Sequence, residues 1–447
     1  MKKRWIEPAS DADEKQEKFF DLMIDKDGFS FENDDAAAAY RERCTIIKDA
    51  VQMKKTPKRV LISPSPGSFP LEYYQVSWKE AMYNYSSAAK AFIKFAEDFP
   101  ADTASPGGEI VSGKMLDILD FKLCLWAGSG LEDNTEYQYI EKDFLKADEY
   151  QDLIDDPTGW FLSVYYPRIF KGLEGFSDFP PVSLAHEIVT VPSMTIPFAV
   201  PPLAASMETL MKASQESLVW AEEIDKVAQQ LMAKGYPALE GGFTKAPFDV
   251  LGDTLRGTKE IMMDLIRRPD EVLEACERLT PLMIKGGVRF CRETGNPLCF
   301  IPLHKGADNF ISQKQFDTFY WPSLRKVCIG LIDQGVVPIL FAEGSYNSRL
   351  ETISDLPGGK VIWYFDRTDM KRAKETVGKT SCIMGNVPLD LLYSGTPDEI
   401  RKYVKELIEI AGTDGGYIFS TGAGIQGTKV ENIRAMLEAA REFGVYN

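Results

Sequence analysis

Apolar and polar positions along the last third of this chain come in blocks. Short apolar runs each end in a polar cluster. Residues 297–303 lead into His304-Lys-Gly-Ala-Asp308, and residues 336–341 into Glu343-Gly-Ser-Tyr-Asn-Ser-Arg349. Residues 360–365 lead into Asp366-Arg-Thr-Asp369, residues 381–384 into Gly385-Asn-Val-Pro388, and residues 416–420 into Thr421-Gly-Ala-Gly424. Between the runs lie segments with helical spacing, such as 397–411, with Ile400, Val404, Leu407 and Ile408 on one face. Continuous apolar runs separated by helices predict parallel strands buried on both faces. In such sheets chemistry gathers where the strands end.

The earlier chain is less regular. Residues 1–58 read as a helical arm, and 59–62 as a short strand between Pro57 and Pro64. Residues 78–99 read as one long helix stopped by Pro100, and 203–234 as another. Residues 113–202, rich in aromatic and acidic side chains and dotted with proline, break the alternation and read as an inserted cap on the unit 59–447.

With 447 residues, 44% hydrophobic and 26% charged, the chain has the composition of an ordinary globular enzyme. A net charge of −16 disfavours nucleic acid and anionic membrane as partners. Seven scattered cysteines without a CxxC pair, and no apolar run of membrane-spanning length, point to a reducing cytoplasm. Two histidines, His186 and His304, rule out a His-rich metal site within one chain.

The C-terminal half resembles the uroporphyrinogen decarboxylase superfamily. The likeness is carried by Cys382-Ile-Met-Gly-Asn-Val-Pro388, Leu391-Leu392, Gly395-Thr-Pro397, Gly415-Gly416, Ser420-Thr-Gly-Ala-Gly424 and Glu431-Asn-Ile-Arg-Ala-Met436. The resemblance implies an α/β fold, a (β/α)8 TIM barrel carrying the N-terminal helical extension and the cap. It implies either a methyltransferase, moving a methyl group between a small methylated substrate and a corrinoid held by a separate protein, or a decarboxylase of a small or tetrapyrrole-like acid. A silent, ligand-binding member is the third reading, and a homodimer is one expected assembly. The thiol-activating methyltransferases hold zinc on a His-x-Cys pair and a cysteine after the last strand. Here those positions read His304-Lys305-Gly306 and Ala423, so both thiolates are missing.

The strand-end clusters supply the candidate site. His304, Glu343 and Asp366 are the candidate catalytic groups, with Glu343 expected in a partly desolvated pocket and as a partner of His304 for any metal. Lys305, Asp308, Tyr346, Arg349, Asn386 and Thr421 are the candidate substrate contacts. Asp308 has a second reading as cap of a helix near Ile311, and Asp369 reads as a helix cap. Lys305, Arg349 and Arg256 are the cations that a decarboxylase would use as a carboxylate clamp. Asp102 is the candidate match to the decarboxylase strand-end aspartate, and Asp249 with Arg256 reads as a structural ion pair.

Overall fold

The computed structural model describes residues 11–446, except the side chains at 182 and 184. Two helices, α1 (Ala12–Ile24) and α2 (Asp34–Gln52), precede the first strand, β1 (Leu61–Ile62). Asp11 and Asn33 cap them, each accepting a hydrogen bond from a first-turn amide. The other strands of the main sheet are β2 (Gly242–Phe243), β3 (Leu298–Leu303), β4 (Val337–Ala342), β5 (Ile362–Phe365), β6 (Cys382–Val387) and β7 (Tyr417–Thr421). All pair in parallel, in the order β1-β7-β6-β5-β4-β3-β2.

The ladder is open between β1 and β2, and residues 102–104 lie in the gap. The Asp102 amide donates to Ile62 O at 2.8 Å, and the Ala104 amide donates to Pro237 O at 3.1 Å. These bonds hold the eighth position of the (β/α)8 barrel as irregular chain. The Asp102 carboxylate fixes the seam. It accepts two hydrogen bonds from Arg59, at 2.6 and 2.9 Å, and one from the Ile62 amide at 2.8 Å, and Arg43 of α2 approaches to 3.6 Å. Asp102 is therefore a closure element and is already committed, rather than the substrate group that the resemblance suggested.

Strands β1 and β3 to β7 bury both faces over most of their length. Cys299, Ile301, Leu340, Trp363, Ile383 and Phe419 pack outward on the helices. Leu298, Val337, Ile339, Ile362, Met384 and Ile418 point into the lumen, where Phe20, Met23, Tyr40, Cys44 and Ile47 of α1 and α2 meet them. Each such side chain contributes about 1.5–3 kcal/mol by leaving water, which is why the strands read as unbroken apolar runs. The arm is thus a stopper at the amino-terminal end of the barrel. Residues 1–10 of the expected arm lie outside the described residues.

The inserted segment carries a small three-stranded sheet (Cys124–Ala127, Gly130–Leu131, Gln138–Tyr139) and short helices. The expected helix 78–99 is broken at Asn84 into Trp78–Tyr83 and α3 (Tyr85–Asp98). The long helix predicted at 203–234 is α4 (Pro201–Ala233). Among the described residues no single helix is long and apolar enough to cross a membrane.

Asp102→Ala leaves Arg59 without its hydrogen-bonded carboxylate, with only Glu42 at 3.8 Å, and the Ile62 amide without its acceptor. The unfolding free energy should fall by about 3 kcal/mol, seen as a lower urea midpoint at unchanged slope. A loss below about 0.5 kcal/mol would show that the seam closes without it.

Candidate active site

His304 follows β3 directly. Its Nδ1 lies 2.7 Å from Asp253 Oδ2, and its Nε2 lies 3.6 Å from Glu343 Oε2, just past β4. Asp249 and Asp253 stand one helical turn apart in residues 247–255, so both carboxylates face the β3 exit. Asp249 is fully buried. It accepts hydrogen bonds from the amides of His304, at 3.2 Å, and Lys305, at 2.9 Å, and from the Tyr320 hydroxyl at 2.7 Å. It fixes the backbone that presents His304. Asp253 is ringed by cations: Lys245 Nζ at 2.6 Å, His304, and Lys305 Nζ at 3.5 Å.

The charges follow from this packing. Burial favours the neutral imidazole, but the hydrogen bond and charge of Asp253, and then the charge of Asp249, outweigh it and raise the His304 pKa. Burial also works to raise Asp253, yet His304 and Lys245 leave it below the usual carboxylate range. Asp249 moves the other way, raised by burial and by the charge of Asp253. The raised pKa favours the protonated imidazole, whose Nε2 lies toward Glu343.

The cap reaches this wall. Thr258 Oγ1 accepts from Lys305 Nζ at 2.8 Å and itself donates to Glu141 of the inserted segment. The Tyr137 hydroxyl is raised first by burial, then by the nearby charges of Glu136, Glu109 and Glu343, and Tyr139 feels Asp253.

Several of the strand-end candidates do other work. Tyr346 is fully buried and donates to Leu303 O at 3.2 Å. Arg349 is 1% exposed and donates to Gln313, Gly306 O and Ile311 O, with Asp308 at 3.6 Å. Asp308 does not cap the helix near Ile311. Ser312 does that, while Asp308 accepts from the hydroxyls of Ser345 and Ser348. Thr421 is fully buried and donates to Ala423 O at 2.7 Å. Tyr346, Arg349, Asp308 and Thr421 thus make bonds that brace the loops behind the mouth. Asp369 caps the helix Met370–Glu375, as its position after β5 predicts.

Asp366 Oδ2 accepts the Gly344 amide at 2.9 Å, and burial raises its pKa. Asn386 donates to Asp366 O and Thr368 O, at 3.0 and 2.8 Å. Both residues line a side cavity of about 570 Å³ between the β5 and β6 exits and the helix Pro397–Ala411. That cavity does not include His304. Glu343 is 53% exposed at its side chain, so the desolvated pocket expected for it is absent, and its nearest partner is His304. Arg256 pairs with Asp264 at 2.6 Å and not with Asp249.

The donor set does not fit a thiolate zinc centre. All seven cysteines are buried free thiols, and among the described residues no group of three His, Cys, Asp or Glu side chains is arranged to hold an ion. His304 and Glu343 supply two donors and no third. The groups that sequence reasoning missed here are Asp253 and Lys245. The four-residue spacing from Asp249 to Asp253 was the available signal.

A stoppered parallel barrel with its charged groups at the carboxyl ends of the strands is the enzyme architecture that the strand pattern implied. The family model for uroporphyrinogen decarboxylase (URO-D) matches residues 187–443, more than half of the chain, and the protein belongs to that family. The uroporphyrinogen decarboxylase of Carboxydothermus hydrogenoformans is 28% identical over 232 residues, covering 51% of this chain and 65% of that protein. That of Solibacter usitatus is 32% identical over 139 residues, covering 31% and 38%. The chain thus spans less than two thirds of the length of these curated relatives. A methyltransferase from Methanosarcina mazei shares the fold, with a TM-score of 0.57 at 16% identity, over 91% of this chain and 98% of that one.

His186 is exposed and far in sequence from the site, so an NMR titration of the two histidines separates them. His304 should titrate above the usual imidazole range. Asp253→Asn, which removes the charge that holds the proton, should move it to lower pH. An unmoved His304 resonance would dissociate the pair.

Proposed function

We propose that this protein is a methyltransferase that takes a methyl group from a small methylated donor and passes it to a corrinoid on a separate carrier protein. The observation that supports this reading over decarboxylation is the commitment of every cation the decarboxylase reading requires. Lys305 is bonded to Thr258 and Asp253, Arg256 to Asp264, and Arg349 is buried. None is left to hold a substrate carboxylate, and a tetrapyrrole acid needs several. The fold likeness to a methyltransferase agrees with the proposal but carries no activity with it.

The corrinoid supplies the nucleophile for the methyl carbon. The chain's own part is to seat the donor against the mouth, to exclude water under the cap, and to deliver a proton. When the bond from the methyl carbon to its heteroatom breaks, the electron pair stays on the heteroatom. His304 Nε2 donates a proton to that pair, and Asp253 steadies the ring while Glu343 approaches from the mouth side. No thiolate-bound metal is needed for that step.

His304→Gln should lower the rate of methyl transfer to a reduced corrinoid carrier by roughly 100-fold, with donor affinity kept. The wild-type rate should fall as pH rises through the raised His304 pKa, since the proton donor is then lost. Carbon dioxide release from a porphyrinogen acid, at a rate matching any methyl transfer, would overturn the proposal.

A further inference from the structure

Among the described residues α4 is the longest helix, and one of its faces is uncovered along most of its length. The inner side buries Leu203, Ser206, Ala213, Val227 and Leu231. The Tyr85 hydroxyl donates to Glu216 at 2.6 Å and the Trp220 indole donates to Ile110 O at 2.8 Å, which fixes that side against the body. With about 3.6 residues per turn, Glu208, Lys212, Gln215, Val219, Glu222 and Lys226 fall in one stripe on the opposite side, and all six are exposed. Met211 and Leu218 flank the stripe, 62% and 63% exposed. The chain leading into α4 is uncovered too. It has no charged residue from 188 to 207, and Ile188, Val189 and Ile196 on it are exposed. Open apolar surface on this scale marks an interaction site.

The charges of the stripe are ordered. They run negative at Glu208, positive at Lys212, negative at Glu222 and positive at Lys226, around a middle of Gln215, Leu218 and Val219. Reversing the direction of that row changes every sign. A second copy laid antiparallel therefore sets Glu208 against the partner's Lys226 and Lys212 against the partner's Glu222, with each contact repeated by symmetry. The two-fold axis then passes between the levels of Gln215 and Val219, where the Leu218 and Val219 side chains of both copies meet. A parallel pairing in register would set like charges together. Lys226 reaches Glu223 at 3.1 Å along the helix, yet stays 62% exposed at its side chain.

Copies of a chain with a net charge of −16 repel one another, so their association needs a face whose signs match locally. A lipid surface has no fixed row of alternating charge to match this one. A different protein has no need of a row that complements its own reverse, whereas a two-fold partner requires it. We propose that two copies of this protein associate through the outer face of α4, packed antiparallel in this register. From Glu208 to Lys226 the contact runs about 27 Å. The pairing brings the amino end of each α4, and the apolar chain leading into it, beside the carboxyl end of the partner's helix. That added surface extends the contact toward the roughly 800 Å² per partner of a standard interface. The association does not depend on the reaction proposed above.

Sedimentation equilibrium of the full-length protein over a concentration series tests this. Wild type should show a reversible dimer that weakens as salt is added. Lys212→Glu sets like charges together at two symmetric places and should weaken dimerisation roughly tenfold. Adding Glu222→Lys to that variant should restore it. Both positions are exposed, and matching melting temperatures check that the fold is kept. The register has its own readout. Under mild oxidation, Gln215→Cys protein mixed with Val219→Cys protein should cross-link more than either variant alone, since the seven native thiols are buried. A monomer at every concentration would overturn the proposal. So would a dimer whose affinity ignores Lys212→Glu, which would lie on another face. Wild type that stays monomeric but sediments with phosphatidylcholine vesicles would assign the face to a membrane and overturn it as well.

Discussion

One carboxylate closes the barrel. Asp102 sits where the parallel ladder lacks a regular eighth strand, and it takes up two guanidiniums and a strand amide at once. Buried charges are tolerated only when paired and fully hydrogen-bonded, and this arrangement meets both conditions. Because residues 102–104 are tethered on both sides, the strand ends curve round to face one another. His304, Glu343 and Asp253 meet at the exits of neighbouring strands of that curved sheet.

A second buried carboxylate repeats the logic at the opposite end. Asp249 grips the amides of His304 and Lys305, and Asp253 gathers three positive groups. The result is a wall whose charges are internally balanced.

The strand pattern was readable because parallel strands bury both faces, and an unbroken apolar run as short as 336–341, set between helices, fits little else. The polar residues after each strand were not equally readable. Arg349 and Glu343 lie six residues apart in one cluster, yet one is sealed beneath the loop and the other opens to solvent. Only the path of the loop, set by Asp308 and its serine partners, distinguishes them. Lys245 and Asp253 approach His304 from a separate part of the chain. Asp102 drew attention as a match to the decarboxylase strand-end aspartate, whereas its bonds to Arg59 and the Ile62 amide are architectural.

The helices α1 and α2, packed into the base of the lumen, make the barrel a blind cup. Whatever enters by the rim must leave by the rim. Any macromolecule that settles over that rim seals the contents, so a small ligand has to arrive before a large one and depart after it. Compulsory order of this kind is written into the architecture, whichever molecules prove to use it.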